Sequence, residues 1–205
     1  MAAIQLKPAL ARTIEQPAAR TSVTIACRSA VTLLLLSVAL GPLNASAQFA
    51  VLDEPWFSPD NCDVNRDPIR IEALDEVTFI LRESPCVDRE APFLFLLLGT
   101  ERALLVDSGT QDGVFLLELV GQKLAENGLG FADLTVAHSH SHLDHRSGDG
   151  ALADAGAGVV GPTVEEVREF WNLEAWPEGV ASLDLGDRLV EVLPIPGHND
   201  NSVAL

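Results

Sequence analysis

The chain has 205 residues, 47% of them apolar and 21% charged, enough apolar matter for one packed domain and too much for a disordered chain. Acidic residues outnumber basic ones 30 to 13, a formal net charge of −17, and a surface of that sign repels phosphate backbones, which excludes nucleic acid as an expected partner. Three cysteines supply neither a four-thiolate zinc site nor a disulfide framework.

Residues 1–47 read as an address. Lys7, Arg12, Arg20 and Arg28 face a single acid, Glu15; an apolar run follows over residues 30–40, then Gly41-Pro42, then Ala45-Ser46-Ala47 before Gln48. A long basic segment, a short apolar core and a small-x-small site are the parts of a signal peptide. Spanning a bilayer takes about 18 apolar residues or more, so no stable membrane anchor is expected after cleavage; an uncleaved anchor or a buried helix is the competing reading. The expected location is therefore periplasmic or extracellular. Residues 1–47 hold four of the 13 basic groups and one of the 30 acidic ones, which leaves 9 basic against 29 acidic, net −20. Of the cysteines only Cys62 and Cys86 remain. In an oxidising compartment they can pair, or they stay as two thiols, since sequence gives no Cα separation.

Residues 48–68, rich in Asp, Asn and Pro, form an irregular lead-in, and residues 69–205 form the domain. Short strands are expected at 69–71 and 77–81. Residues 93–98 and 103–106 are apolar runs joined by a turn, a buried hairpin that stops at Asp107-Ser108-Gly109. Leu116, Leu117, Val120 and Leu124 recur at helical spacing, and Asn127-Gly128 closes that helix. Residues 134–137 and 159–160 read as strands. Thr163 with Glu166 makes a capping box that opens a helix running through Phe170 and Trp171. A second hairpin is expected from 183–185 to 189–195, ending in Pro196-Gly197-His198, and residues 202–205 read as the start of a strand cut short. Strands first, then strand–helix alternation, define an α/β class. Trp171 and Trp176 either line a substrate wall or pack in the core.

Five histidines are present, and four fall in the run His138-Ser139-His140-Ser141-His142-Leu143-Asp144-His145. The fifth is His198. Imidazole is the commonest ligand for zinc-like ions, and the cluster follows a strand. In extended chain, positions i and i+2 point the same way, so His140 and His142 can converge on one ion. Asp144 and His145 follow at a turn. Only a frame starting at His140 gives H-x-H-x-D-H; His138 is left without a role. Ser139 and Ser141 alternate with the histidines and are expected to point away from the metal.

With Leu105-Val106-Asp107-Ser108-Gly109 upstream and Ile195-Pro196-Gly197-His198 downstream, the motif resembles the metallo-β-lactamase superfamily, over about residues 93–205. The resemblance implies an αββα sandwich, here truncated so that mainly the N-terminal half is present. It implies that His140, His142 and His198 bind a first metal and that Asp144 and His145 bind a second. Asp107 would sit beneath the site and orient a ligand, its alternative being a plain turn-capping Asp. The cofactor implied is zinc, one or two ions, with other divalent metals open. The reaction implied is attack of metal-bound hydroxide on an ester, thioester, lactone or β-lactam-type small molecule, with Asp144 as a catalytic proton acceptor. Gly148 would let the backbone bend after the ligand loop. Asn199-Asp200-Asn201 stands where the family more often has Thr or Ser, and Ser147 where many members have Gly. The resemblance reaches only the family's first half, so the bridging carboxylate and further histidine that the second half supplies are not expected within residues 93–205. Two functions stay open: an exported metal-dependent hydrolase, or a non-catalytic metal-binding remnant. Oligomeric state is not legible.

Overall fold

The computed structural model describes Cys62 and residues 67–205; the signal-peptide reading of residues 1–47 and most of the lead-in at 48–68 lie outside the described residues. Nine strands and three α-helices run in the order β1 (Ile69–Ala73), β2 (Thr78–Glu83), β3 (Phe93–Leu98), β4 (Ala103–Val106), α1 (Val114–Glu126), β5 (Leu134–Ala137), α2 (Asp149–Asp154), β6 (Gly158–Val159), α3 (Val164–Trp171), β7 (Ala181–Asp184), β8 (Leu189–Pro194) and β9 (Val203–Ala204) among the described residues. β1 to β6 form one sheet in sequence order and β7 to β9 a second. The first four strands are an antiparallel meander. β5 joins β4 in parallel, and β6 joins β5 in parallel. A parallel neighbour needs a crossover, and α1 and α2 provide the two.

Alternation along the strands sorts side chains into two cores. In β3, Leu94, Leu96 and Leu98 are buried, while Phe93 and Phe95 on the other face stay about 40% exposed. In β4 the split serves both sides. Ala103 and Leu105 pack with Leu116, Val120 and Leu124 of α1 and with Leu152 of α2. Leu104 packs with Val167 and Trp171 of α3 and with Val190, Val192 and Val203 of the second sheet. A fully buried leucine of this kind contributes roughly 1.5–3 kcal/mol relative to exposure, so β4 is central to both layers. Trp171 is buried in the second core and Trp176 packs against it, which favours packing over a substrate wall.

The expected hairpins and helices are present, with shifted ends. β2 runs two residues further than expected, to Glu83. β6 begins at Gly158, and β7 ends at Asp184, leaving Leu185 outside the ladder. The carbonyl of Leu185 instead accepts from the N–H groups of Glu101 and Arg102, which ties the β3–β4 turn to the second sheet. Thr163 caps α3 as expected, its side chain accepting from the N–H of Glu166. Cys62 and Cys86 form a disulfide, with Cα atoms 5.3 Å apart. Besides Phe93 and Phe95 of β3, Leu189 and Leu193 of β8 and Ile195 just beyond it are exposed apolar side chains.

Candidate metal centre

β4 and β5 are parallel neighbours in which Val106 pairs with Ala137, so the loops leaving their carboxyl ends emerge side by side, a common place for a site in an α/β sheet. The N–H of Asp107 donates to the carbonyl of Ala137, and that of Ser108 to His145. Asp107 takes a positive φ of 65°, a conformation that short polar side chains tolerate better than most. The result aims its carboxylate into the histidine loop. One oxygen accepts from the N–H of Ser139 at 2.7 Å; the other accepts from the Ser139 hydroxyl at 3.0 Å and lies 2.7 Å from Nδ1 of His145. Asp107 therefore does more than cap its own turn: it anchors both ends of the His140–His145 stretch.

Two glycines make the close packing of these loops feasible. Gly109 has φ +78°, and a Cβ there would fall 2.2 Å from Oε1 of Glu83. At Gly148 the reason differs from the expected bend: its φ is an ordinary −81°, but a Cβ would lie 2.6 Å from the Ser108 carbonyl oxygen.

The structure brings His140, His142 and His198 together from two sheets. Nδ1 of His142 lies 3.1 Å from Nε2 of His140 and 3.2 Å from Nε2 of His198, and one nitrogen of each ring lies within 4.8 Å of the others. The three rings stand edge to face, at 74° to 82°. Nitrogens about 2.05 Å from a tetrahedral ion would be about 3.3 Å apart, so the donor set fits a divalent cation. His140 is suited to it in charge as well. Burial, and then the neighbouring His145, His142 and His198, hold its pKa below the ordinary 6.5, which keeps the ring neutral with a lone pair to offer.

His145 and Asp144 form the adjoining pair, with Nε2 3.0 Å from Oδ2. The hydrogen bond to Asp107, which prevails over burial, raises the pKa of His145 above 6.5, with help from the charges of Asp107 and Asp144. Ser139 lies behind the rings: its hydroxyl is 3.1 Å from Nδ1 of His140, the ring nitrogen other than the one that meets His142, and 3.4 Å from Nδ1 of His145. An oxygen at that hub fixes which nitrogen of each ring faces the cluster.

His138 turns away from the cluster, Nε2 2.8 Å from Oδ1 of the half-buried Asp149. Asp149 also accepts from the Ser108 hydroxyl at 2.7 Å and from the Arg146 guanidinium at 2.8 Å. Burial pushes its pKa up, but these partners, His138 foremost, outweigh that and leave it below 3.8. Glu83 is a second carboxylate that sequence reasoning missed. It is 1% exposed, accepts from the N–H and hydroxyl of Thr110 and from the N–H of Gln111, and so pins the loop that follows Asp107. Phe79, Leu81 and Glu83 sit at i, i+2 and i+4 on one face of β2, and that spacing is the signal that could have found it.

The family model described as the metallo-beta-lactamase superfamily matches residues 88–205. The chain belongs to that superfamily. Over 114 residues it is 32% identical to a hydroxyacylglutathione hydrolase of Anaeromyxobacter dehalogenans (strain 2CP-C), an alignment covering 55% of this chain and 41% of that protein. The chain thus spans about two-fifths of the length of this curated relative. Similar solved structures include the class B3 di-zinc metallo-beta-lactamase LRA-12 from an Alaskan soil metagenome, at 16% identity and TM-score 0.47, covering 73% of this chain and 60% of that one. The MIM-2 metallo-beta-lactamase is 23% identical with TM-score 0.42, covering 62% and 52%.

Proposed function

We propose that the protein is an exported hydrolase that uses a divalent cation, zinc first, to cleave an acyl bond of a small molecule, a thioester before an ester, lactone or β-lactam. The observation that carries this reading is the convergence of His140, His142 and His198 from separate sheets. A cation bound by these residues supplies Lewis acidity: it lowers the pKa of a bound water towards about 7 and polarises a carbonyl. The chain's own groups do the rest. Asp107 fixes the tautomer and orientation of His145, and Ser139 does the same for His140. Asp144, with its side chain 30% exposed, is the carboxylate at the rim that can take up and release a proton, or join His145 around a second ion. The preference for thioesters rests on the named activity of the 32% identical relative. The Cys62–Cys86 bond supports export, since such bonds persist in oxidising compartments.

The test is metal analysis of the purified chain, followed by an acyl-thioester, aryl-ester and β-lactam panel with and without chelator. Bound zinc and chelator-sensitive thioester turnover are expected. A zinc-loaded protein that turns over none of the three would leave it a metal-binding protein without this catalysis.

A further inference from the structure

A small cavity of about 10 Å³ lies behind the histidine cluster, bordered by Arg146, Val160, Pro162, Trp171, Asn201 and Val203 among others. Three buried polar atoms that find no hydrogen-bond partner among the described residues belong to residues of this lining: Nε of Arg146, Nε1 of Trp171 and Oδ1 of Asn201. Trp171 is 8% exposed and Asn201 5%. Unpartnered buried polar atoms are rare and costly, and three around one void share a cause.

We propose that this cavity binds one buried water molecule, which accepts hydrogen bonds from Arg146 Nε–H and Trp171 Nε1–H and donates one to Asn201 Oδ1. The chemistry admits little else. Two donors and one acceptor match the two lone pairs and one of the two protons of water. An anion would meet the amide oxygen of Asn201 head-on, and a cation would meet the guanidinium. The volume is about that needed for a single water, and three partners is the usual number for a buried one.

The position gives this water a task. Arg146 follows His145 and reaches Asp149 with its other nitrogen. Asn201 lies three residues past His198, its amide N–H donating to the Pro162 carbonyl at 2.6 Å. Trp171 ends α3. The water therefore joins the loop bearing His140, His142 and His145 to the loop bearing His198, and holds them in register for a cation. This second step rests on the metal-centre reading above; the water itself does not.

A high-resolution crystal structure of the full chain is expected to show density about 2.7–3.2 Å from all three atoms. Trp171→Phe removes one donor, and Val160→Ile fills the void without touching a polar atom. Each is expected to displace the water and to weaken Zn²⁺ binding about tenfold, as loss of a supporting contact does, read by competition with a chromophoric chelator. Absence of density in the wild-type chain overturns the site. Density with Zn²⁺ affinity unchanged in a folded Val160→Ile variant overturns the coupling. Density in a wild-type chain that binds no Zn²⁺ keeps the water and overturns the metal reading instead.

Discussion

Asp107 and His145 stand 38 residues apart in sequence and meet with a carboxylate oxygen 2.7 Å from Nδ1. Parallel pairing of β4 with β5 makes the contact: Asp107 directly follows β4, and the loop that leaves β5 at the same level folds back to set His145 beside it. Because the hydrogen bond holds the His145 pKa above 6.5, Asp107→Asn should lower it. Asn tolerates the positive φ, so the backbone stays while the charge and one acceptor oxygen are removed. An NMR titration of the metal-free His145 ring should move to lower pH, with metal affinity about 10- to 100-fold weaker. An unchanged titration would show that the contact does not form in solution.

The two kinds of histidine separate cleanly by substitution. His140→Ala, His142→Ala and His198→Ala should each abolish stoichiometric zinc binding. His138→Ala should keep it and instead destabilise the fold by about 1–3 kcal/mol, because a half-buried Asp149 loses its neighbour. Metal content beside urea midpoints for the four variants decides this. If His138→Ala loses the metal as completely as the others, the frame starting at His140 is wrong.

Glu83 gives a pH signature. Burial raises its pKa above 4.5 in spite of the Thr110 and Gln111 hydrogen bonds. The folded state then binds the proton more tightly than the unfolded chain, so this contribution is complete below about pH 4.5 and is lost as pH rises through the folded value. Asp149 runs the opposite way: its contribution is present above pH 3.8 and is lost as pH falls through its depressed folded value. Glu83→Gln should therefore flatten the stability profile just above pH 4.5 and leave the acid limb below pH 3.8 in place. Urea unfolding across pH 3 to 7 tests it; an identical slope in both proteins above pH 4.5 would remove Glu83 from the account.

The legible parts of the molecule were the local ones. The strands at Phe93–Leu98 and Ala103–Val106 carry continuous apolar runs bounded by polar turns, and the capping box of α3 is four residues long. The motif from His140 to His145 is likewise contained in one loop. His198 is different. No spacing rule connects it to a loop more than fifty residues earlier, and only the Pro-Gly-His resemblance pointed to it. Glu83, Asp149 and the orientation of His138 were hidden for a physical reason: a charged residue reads as solvent-facing until the partners that satisfy it are known, and those partners are distant in sequence. The contacts of Ser139 with His140, His145 and Asp107 were hidden for the same reason, since strict alternation stops where β5 stops.

The three clustered imidazoles belong to two different layers: His140 and His142 follow a strand of the six-stranded sheet, and His198 follows β8 of the other. Among the described residues the N–H of Val203 reaches the carbonyl of Ser139, a lone backbone stitch beside the cluster. An ion seated there works as a rivet between the layers, and its binding energy becomes energy of assembly. Scarcity of that ion would then be felt twice, as lost Lewis acidity at the rim and as a loosening of one sheet against the other.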